Sequence, residues 1–271
     1  MTLAACTSPR RAALSADTVA FAAPADSAIP KGPLGASIRR GQALLAATRD
    51  SLPAHVGAKL SCTSCHPDAG RRANAMPWVG VSARYPQYRS RSASVSLLED
   101  RVNDCFERSM NGRALDPAGP DMRDIVSYMS FVSRGVPVGS AVRGQGLPKL
   151  KLTHGDSGAG RAVFATTCAR CHGPDGAGTV IAPPLWGAES FNLGAGMARL
   201  RTAGAFIRYN MPYDLPGTLT DVQAMDVAAF VVTRPRPDFS GKANDWPNGG
   251  APPDVAYETD FARQHPDTAR R

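Results

Sequence analysis

Apolar residues recur at helical spacing in four segments, two in each half of the chain. These segments are residues 41–45 and 121–134 in the first half, and residues 160–164 and 221–233 in the second. Gly41 and Gly160 are each followed four positions later by a bulky apolar residue, which lets two helices cross closely. Sustained alternation of apolar and polar residues, typical of strands, is absent. The pattern predicts an all-α protein in which each half opens and closes with a helix.

Both halves carry the same short motif after the opening helix. The two copies are Cys62-Thr-Ser-Cys65-His66 and Cys168-Ala-Arg-Cys171-His172. This spacing lets two thiols add to the two vinyl groups of one haem, while the adjacent histidine ligates the iron. Two copies in one chain therefore indicate two covalently bound haem c groups.

An apolar loop that contains proline follows each motif, at residues 75–80 and 182–187. Such a loop can present a backbone carbonyl to the ring nitrogen of the ligating histidine, which fixes the tautomer of the imidazole. The repeated order of helix, motif, loop and helix predicts two tandem class I cytochrome c domains, each with one covalent haem c.

The expected domain boundaries follow from the repeat and from composition. Gly, Pro and Lys cluster between the two halves, and the chain after residue 235 is rich in Pro, Gly and Asp. We expect an export remnant and flexible tether at 1–33, the first haem domain at 34–140, a linker at 141–155, the second haem domain at 156–240, and a C-terminal tail at 241–271.

Composition narrows the class of protein further. The 271 residues include 31 basic and 23 acidic side chains, and arginines greatly outnumber lysines. Guanidinium groups suit small oxyanions well, whereas the absence of a recognition motif and the low aromatic content of 7% argue against a nucleic-acid partner. No run approaches the roughly 18 apolar residues that a membrane-spanning helix needs, which excludes a polytopic membrane protein.

The N-terminus bears on localisation. Leu3-Ala-Ala-Cys6 resembles a lipobox, so Cys6 is a candidate lipid anchor, and the alternative is an Ala-rich start with an incidental cysteine. Because c-type haems are attached outside the cytoplasm, we expect a periplasmic protein, with lipoprotein anchoring as an open possibility.

The second axial ligand of each iron differs between the halves. Met211 lies 39 residues after His172 in a turn flanked by proline, which favours it as the thioether ligand of the second haem. The same step from His66 ends on Cys105 instead of a methionine. Met122 and Met129 fall on the closing helix and are expected in the core.

Cys105 is predicted to lie on a helix that starts with a capping box at residues 96–99 and ends at residues 111–112. At 100° per residue, Arg101, Cys105 and Ser109 fall within about 80° on one face of this helix. From the residues alone, Cys105 is a buried free thiol, a disulfide partner of Cys6, or a metal-binding thiolate whose pKa is lowered by ferric haem and Arg101.

Four segments, at residues 60–66, 74–80, 85–91 and 98–109, resemble the dihaem thiosulfate dehydrogenase family. The resemblance implies that Cys105 ligates the first haem iron opposite His66 and is the catalytic thiol. It also implies that Arg91, Arg101 and Ser109 line the substrate pocket. Some members carry a lysine immediately before the methionine ligand of the second haem, but Asn210 occupies that position here, so ligand exchange by lysine is not expected.

The implied function is oxidation of two thiosulfate ions to tetrathionate at a His/Cys-ligated haem, with tetrathionate reduction as the reverse reaction. The electrons would pass through a His/Met-ligated haem to an acceptor cytochrome or a similar carrier. Three alternatives stay open: an electron-transfer cytochrome of the c4 kind, a cytochrome subunit of the sulfur-oxidising multienzyme complex, and a dihaem peroxidase.

Overall fold

The computed structural model describes residues 18–267, and in this part of the chain the secondary structure is mainly helical. The helices are α1 (Pro33–Ala46), α2 (Thr48–Ser51), α3 (Pro67–Gly70), α4 (Leu98–Arg108), α5 (Pro120–Val132), α6 (Ser157–Val163), α7 (Ala169–His172), α8 (Leu200–Asn210), α9 (Asp221–Val232) and α10 (Asp260–Gln264). The predicted all-α class with two tandem cytochrome c domains is confirmed.

The described residues also include four very short strands. β1 (Thr18–Val19) pairs in parallel with β4 (Ala141–Val142), and β2 (Gln87–Arg89) pairs antiparallel with β3 (Ser94–Ser96). No strand in residues 18–267 exceeds three residues, so the sheets join loops and do not form a layer of the fold.

The opening and closing helices of each half pack against each other through a glycine. In the first half, Gly41 of α1 lies against the backbone of Asp124 in α5, and in the second half Gly160 of α6 lies against the backbone of Asp226 in α9. A Cβ atom at either glycine would overlap the facing carbonyl group. The close helix crossing that the sequence predicts is therefore confirmed in both domains.

Each crossing supports its own apolar core. Leu45, Met122 and Met129 are buried in the first domain, as predicted for the two methionines. In the second domain, Phe164, Trp186 and Phe230 form an aromatic cluster with ring centroids 5.1 to 5.6 Å apart. In residues 18–267, no helix is long and apolar enough to cross a bilayer.

We expect Gly160→Ala to lower the free energy of unfolding by about 1–3 kcal/mol, because the added methyl group forces α6 away from α9. Chemical denaturation of the holoprotein measures this change. Gly196→Ala is the matched control, since a Cβ atom there meets only the flexible end of Arg199 at 3.8 Å. Equal stability loss in the two variants would contradict the close crossing.

Residues 18–33, which composition predicts to be a flexible tether, contact the first domain. The amide of Arg143 donates to the Val19 carbonyl at 3.0 Å, and Arg71 donates to the Asp26 carboxylate at 2.6 Å. These contacts hold the segment against the first domain. The sequence does not indicate them, because the two residues of each pair lie far apart in the chain. Cys6, the candidate lipid anchor, lies outside the described residues.

The start of α4 also differs from the prediction. Ser96 belongs to β3, where it pairs with Gln87, and the helix begins at Leu98. The Asp100 carboxylate accepts from the Leu97 amide at 2.8 Å, in place of the expected cap between Ser96 and Glu99. The strand pairing of Ser96 explains this shift.

Candidate functional site

The first Cys-x-x-Cys-His motif folds as a tight turn over residues Cys62–Ser64. The Cys62 amide donates to the hydroxyl of the fully buried Thr48 at 3.0 Å, and the His66 amide donates to the Cys62 carbonyl at 3.0 Å. These bonds close the motif into one compact turn, which keeps the two cysteines and the histidine close together.

His66 is oriented by the loop that follows the motif. Its Nδ1 lies 2.6 Å from the Met76 carbonyl, and its ring packs 5.1 Å from the Trp78 ring between centroids. The amide of Met76 donates to the Gly146 carbonyl at 3.2 Å, so the segment after the first domain supports this loop. The predicted contact between a loop carbonyl and the histidine is confirmed in the first half.

The second motif is held in an equivalent way. It follows a π-helical turn over Phe164–Cys168 and lies on α7, with His172 Nδ1 2.8 Å from the Pro183 carbonyl. The carbonyl contact predicted for the second loop is therefore also confirmed.

Burial sets the protonation states of the motif residues. It lowers the pKa of His66 to about 4 and lowers the pKa of His172 below its ordinary value. Both imidazoles are therefore neutral at pH 7, with Nδ1–H donating to a carbonyl and Nε2 free to ligate a metal. Burial also raises the pKa of Cys62 and Cys65 to about 12.

A cavity of about 730 Å³ lies at the second motif and reaches the first. Its lining is mainly apolar and includes Cys168, Cys171, His172 and Met211, together with Cys65 of the first motif. Two thiols, an imidazole and a thioether around an apolar space are the donors that a covalent haem needs. The residues present therefore fit a haem, and the two attachment motifs are neighbours.

Cys105 lies on α4, next to a guanidinium group. Arg101 Nη1 is 2.8 Å from Cys105 Sγ, and the electrostatic interaction with Cys105 raises the pKa of Arg101 above its ordinary value. The charge of Cys105 also adds to burial in raising the pKa of Cys65, so the thiol is close to the first motif. Cys105 forms no disulfide with any described residue.

The other two predicted pocket residues differ in their placement. Ser109 caps the C-terminus of α4, and its amide donates to the Cys105 carbonyl. Arg91 belongs to a neighbouring cluster, where it donates to the Gly194 carbonyl at 3.1 Å and to the Tyr257 hydroxyl at 3.3 Å. The structure thus joins Arg101, Cys105 and Ser109 on α4 and places Arg91 beside Tyr257.

Two contacts made by buried residues were not predicted from the sequence. Asp245 of the C-terminal segment pairs with Arg108 and Arg91, and Asn210 donates to the Asn74 carbonyl at 3.0 Å across the two halves. Trp246, the residue after Asp245, was a usable signal. A tryptophan in a polar tail indicates that the segment around it packs against the rest of the protein. No periodicity or motif marked Asn210.

Comparisons with known proteins agree with this arrangement. The family model described as SoxA/TsdA, cytochrome c domain matches residues 54–138, and the cytochrome c model matches residues 157–235. The chain therefore carries two covalent haem c groups, one in each domain.

Three relatives match most of the chain. The thiosulfate dehydrogenase of Allochromatium vinosum is 47% identical over 239 residues, which cover 84% of this chain and 88% of that protein. The thiosulfate dehydrogenase of Psychrobacter arcticus is 42% identical, covering 86% and 73%. The solved thiosulfate dehydrogenase TsdBA from Marichromatium purpuratum, as isolated, has a TM-score of 0.80 at 36% identity; the match covers 88% of this chain and 55% of that one.

The helical crossings, the two attachment motifs and these similarities over most of the chain agree: the chain belongs to the thiosulfate dehydrogenase family of dihaem c-type cytochromes.

Proposed function

We propose that the protein oxidises two thiosulfate ions to one tetrathionate ion, with Cys105 as the catalytic thiol and Arg91, Arg101 and Ser109 as substrate-binding residues. The observation that carries this proposal is the 2.8 Å contact between Arg101 Nη1 and Cys105 Sγ. A guanidinium at this distance stabilises the thiolate and leaves further N–H donors for an oxyanion.

The same proposal names the residues that would hold the haems. In the first domain, Cys62 and Cys65 would attach the haem, and His66 and Cys105 would bind its iron. In the second domain, Cys168 and Cys171 would attach the haem, and His172 and Met211 would bind its iron. When bound, the haems would supply the one-electron acceptors for the two electrons that the reaction releases to an acceptor cytochrome.

Charge is the main obstacle to the reaction. Two thiosulfate dianions about 5 Å apart repel each other by roughly 13 kcal/mol at an effective dielectric constant of about 20. Charge-assisted hydrogen bonds contribute about 1.5–3 kcal/mol each, so Arg91 and Arg101 offset part of this repulsion. The Ser109 hydroxyl is a supplementary donor.

The chemical steps balance without protons. The Cys105 thiolate forms a sulfur–sulfur bond with the outer sulfur of the first thiosulfate, and the pair loses two electrons. The second thiosulfate attacks that outer sulfur, breaks its bond to Cys105, and leaves as part of tetrathionate. Cys105 returns to the thiolate, and the same steps in reverse reduce tetrathionate.

Electron exit through the second domain is the simplest route. Cys65 of the first motif and Cys168 and Cys171 of the second line one cavity, so the two attachment motifs lie close together. Thioether ligation raises the reduction potential of an iron relative to thiolate ligation, so electrons favour the second haem. We place the protein in the periplasm, where c-type haems are attached, with lipid anchoring through Cys6 as part of the proposal.

The purified holoprotein, with ferricyanide as a one-electron acceptor, tests the proposed activity. We expect one tetrathionate for every two thiosulfate ions consumed and every two ferricyanide ions reduced. A requirement for an added carrier protein would favour a subunit of the sulfur-oxidising complex. Rapid electron exchange without tetrathionate would favour an electron-transfer cytochrome.

A further inference from the structure

The chain after α9 returns to the first domain. Asp245 and Trp246 are only 4% exposed, although they lie in a segment rich in glycine and proline. The Trp246 amide donates to the Arg91 carbonyl at 2.8 Å, and the Arg91 guanidinium lies 4.5 Å from the centre of the Trp246 ring. The segment thus contacts both the backbone and the side chain of Arg91.

Asp245 joins two arginines of the first domain. Its two carboxylate oxygens each accept from Arg108 at 2.8 Å, in a bidentate pair. One of these oxygens, Asp245 Oδ2, also lies 3.3 Å from Arg91 Nε and accepts a hydrogen bond from the Tyr257 hydroxyl. The carboxylate therefore bridges Arg91 and Arg108.

Arg108 places this bridge beside the catalytic thiol. At 100° per residue, Arg108 lies about 60° from Cys105 around α4, on the same side as Arg101, which lies about 40° from Cys105. The face of α4 that carries Cys105 therefore also carries the guanidinium that Asp245 holds. Arg91 comes from the loop after β2, and Asp245 links it to this face.

Without Asp245, Arg91 would face other positive charges. Burial lowers the pKa of Arg91, and the charges of Arg108 and Arg199 lower it further. Two buried guanidinium groups that share no counterion repel each other, so the Arg91 side chain would move from its present position.

We propose that Asp245 is a positioning residue that holds Arg91 against the Cys105 face of α4, ready to bind a thiosulfate sulfonate group. The proposal rests on the proposed function, because Arg91 is there a substrate-binding residue. Asp245 itself touches no substrate and acts through Arg91.

Asp245→Asn tests this role in the holoprotein, because it removes the charge and keeps the shape. We expect the KM for thiosulfate and its Kd, from calorimetric titration of the oxidised protein, to rise at least tenfold. We expect kcat to change less than threefold and both haem spectra to stay unchanged. In an Arg91→Gln background, Asp245→Asn should add no further rise in Kd.

Two further variants separate positioning from a structural role. Arg108→Gln removes the bidentate pair that links Asp245 to α4 but leaves the Asp245 carboxylate beside Arg91, so Kd should rise, though less than in Asp245→Asn. Tyr257→Phe removes only the hydroxyl shared by Asp245 and Arg91, and it should raise Kd about threefold. If Asp245→Asn gives no holoprotein, the Tyr257→Phe result decides: a Kd unchanged from that of the unaltered protein would overturn the proposal.

Other outcomes also overturn the positioning role. An unchanged Kd in Asp245→Asn, an unchanged Kd in Arg108→Gln, or a full additional rise in the Arg91→Gln background would each contradict it. Thiosulfate binding without turnover by the unaltered protein would contradict only the proposed function. Absence of thiosulfate binding would contradict both.

Discussion

Cys105→Ser should lower the rate of tetrathionate formation at least a thousandfold and leave both haems attached. A serine hydroxyl stays protonated near pH 7 and cannot form the sulfur–sulfur bond that the proposed chemistry requires. The attachment motifs, at residues 62–66 and 168–172, are untouched by the change. Steady-state turnover with ferricyanide and a haem count by absorbance of the pyridine complex measure the two expectations.

The haem count is the internal control for Cys105→Ser, because a loss of haem would explain inactivity without a role for the thiol. Normal turnover in a variant with two haems would contradict covalent catalysis by Cys105. Turnover restricted to the tetrathionate-reducing direction would also contradict it, since both directions use the same bond.

Arg101→Gln should reduce kcat/KM for thiosulfate about a hundredfold. The guanidinium lies 2.8 Å from the Cys105 sulfur, and loss of a charge-assisted hydrogen bond costs about 3 kcal/mol at the upper end. Arg101→Lys keeps the charge without the planar fork, so we expect an intermediate loss. Initial rates over a range of thiosulfate concentrations give these values.

Arg161→Gln is the matched control for Arg101→Gln. Arg161 is an exposed arginine on α6 in the second domain, so its replacement makes the same change in net charge away from Cys105. We expect kcat/KM within twofold of the unaltered protein. Equal losses in the two variants would indicate that overall charge attracts the substrate and that Arg101 has no local role.

The parts of the fold that the sequence predicts are those in which the relevant residues lie close together in the chain. The opening helices with Gly41 and Gly160, the haem motifs and the carbonyl contacts of His66 and His172 all fall within short segments. The shared face of Arg101 and Cys105 also follows from local geometry, because four residues make about one helical turn.

The features that escaped prediction depend on contacts between distant segments. Asp245 lies 137 residues from Arg108 and in a segment without periodicity, so composition shows only a polar tail. Asn210 contacts the carbonyl of Asn74 across the domains, and Asp26 contacts Arg71 in a segment that composition predicts as a tether. Such pairs are determined by tertiary packing, which the local preferences of the residues do not predict.

The asymmetry between the two domains fits a division of roles. The first domain presents a thiol beside a guanidinium on α4, whereas the second presents Met211 at the end of α8. The sequence already shows this difference, because Cys105 and Met211 each lie 39 residues after the histidine of their haem motif. A cytochrome that only transfers electrons has no use for a thiol paired with arginine at this position.

Low-temperature electron paramagnetic resonance of the oxidised holoprotein tests the central claim most directly. We predict two low-spin ferric signals, one of them with the narrow spread of g values typical of thiolate ligation, and we predict that only this signal disappears in Cys105→Ser. A spectrum of the unaltered protein without a thiolate-ligated haem, or a thiolate signal that survives in Cys105→Ser, would contradict the account.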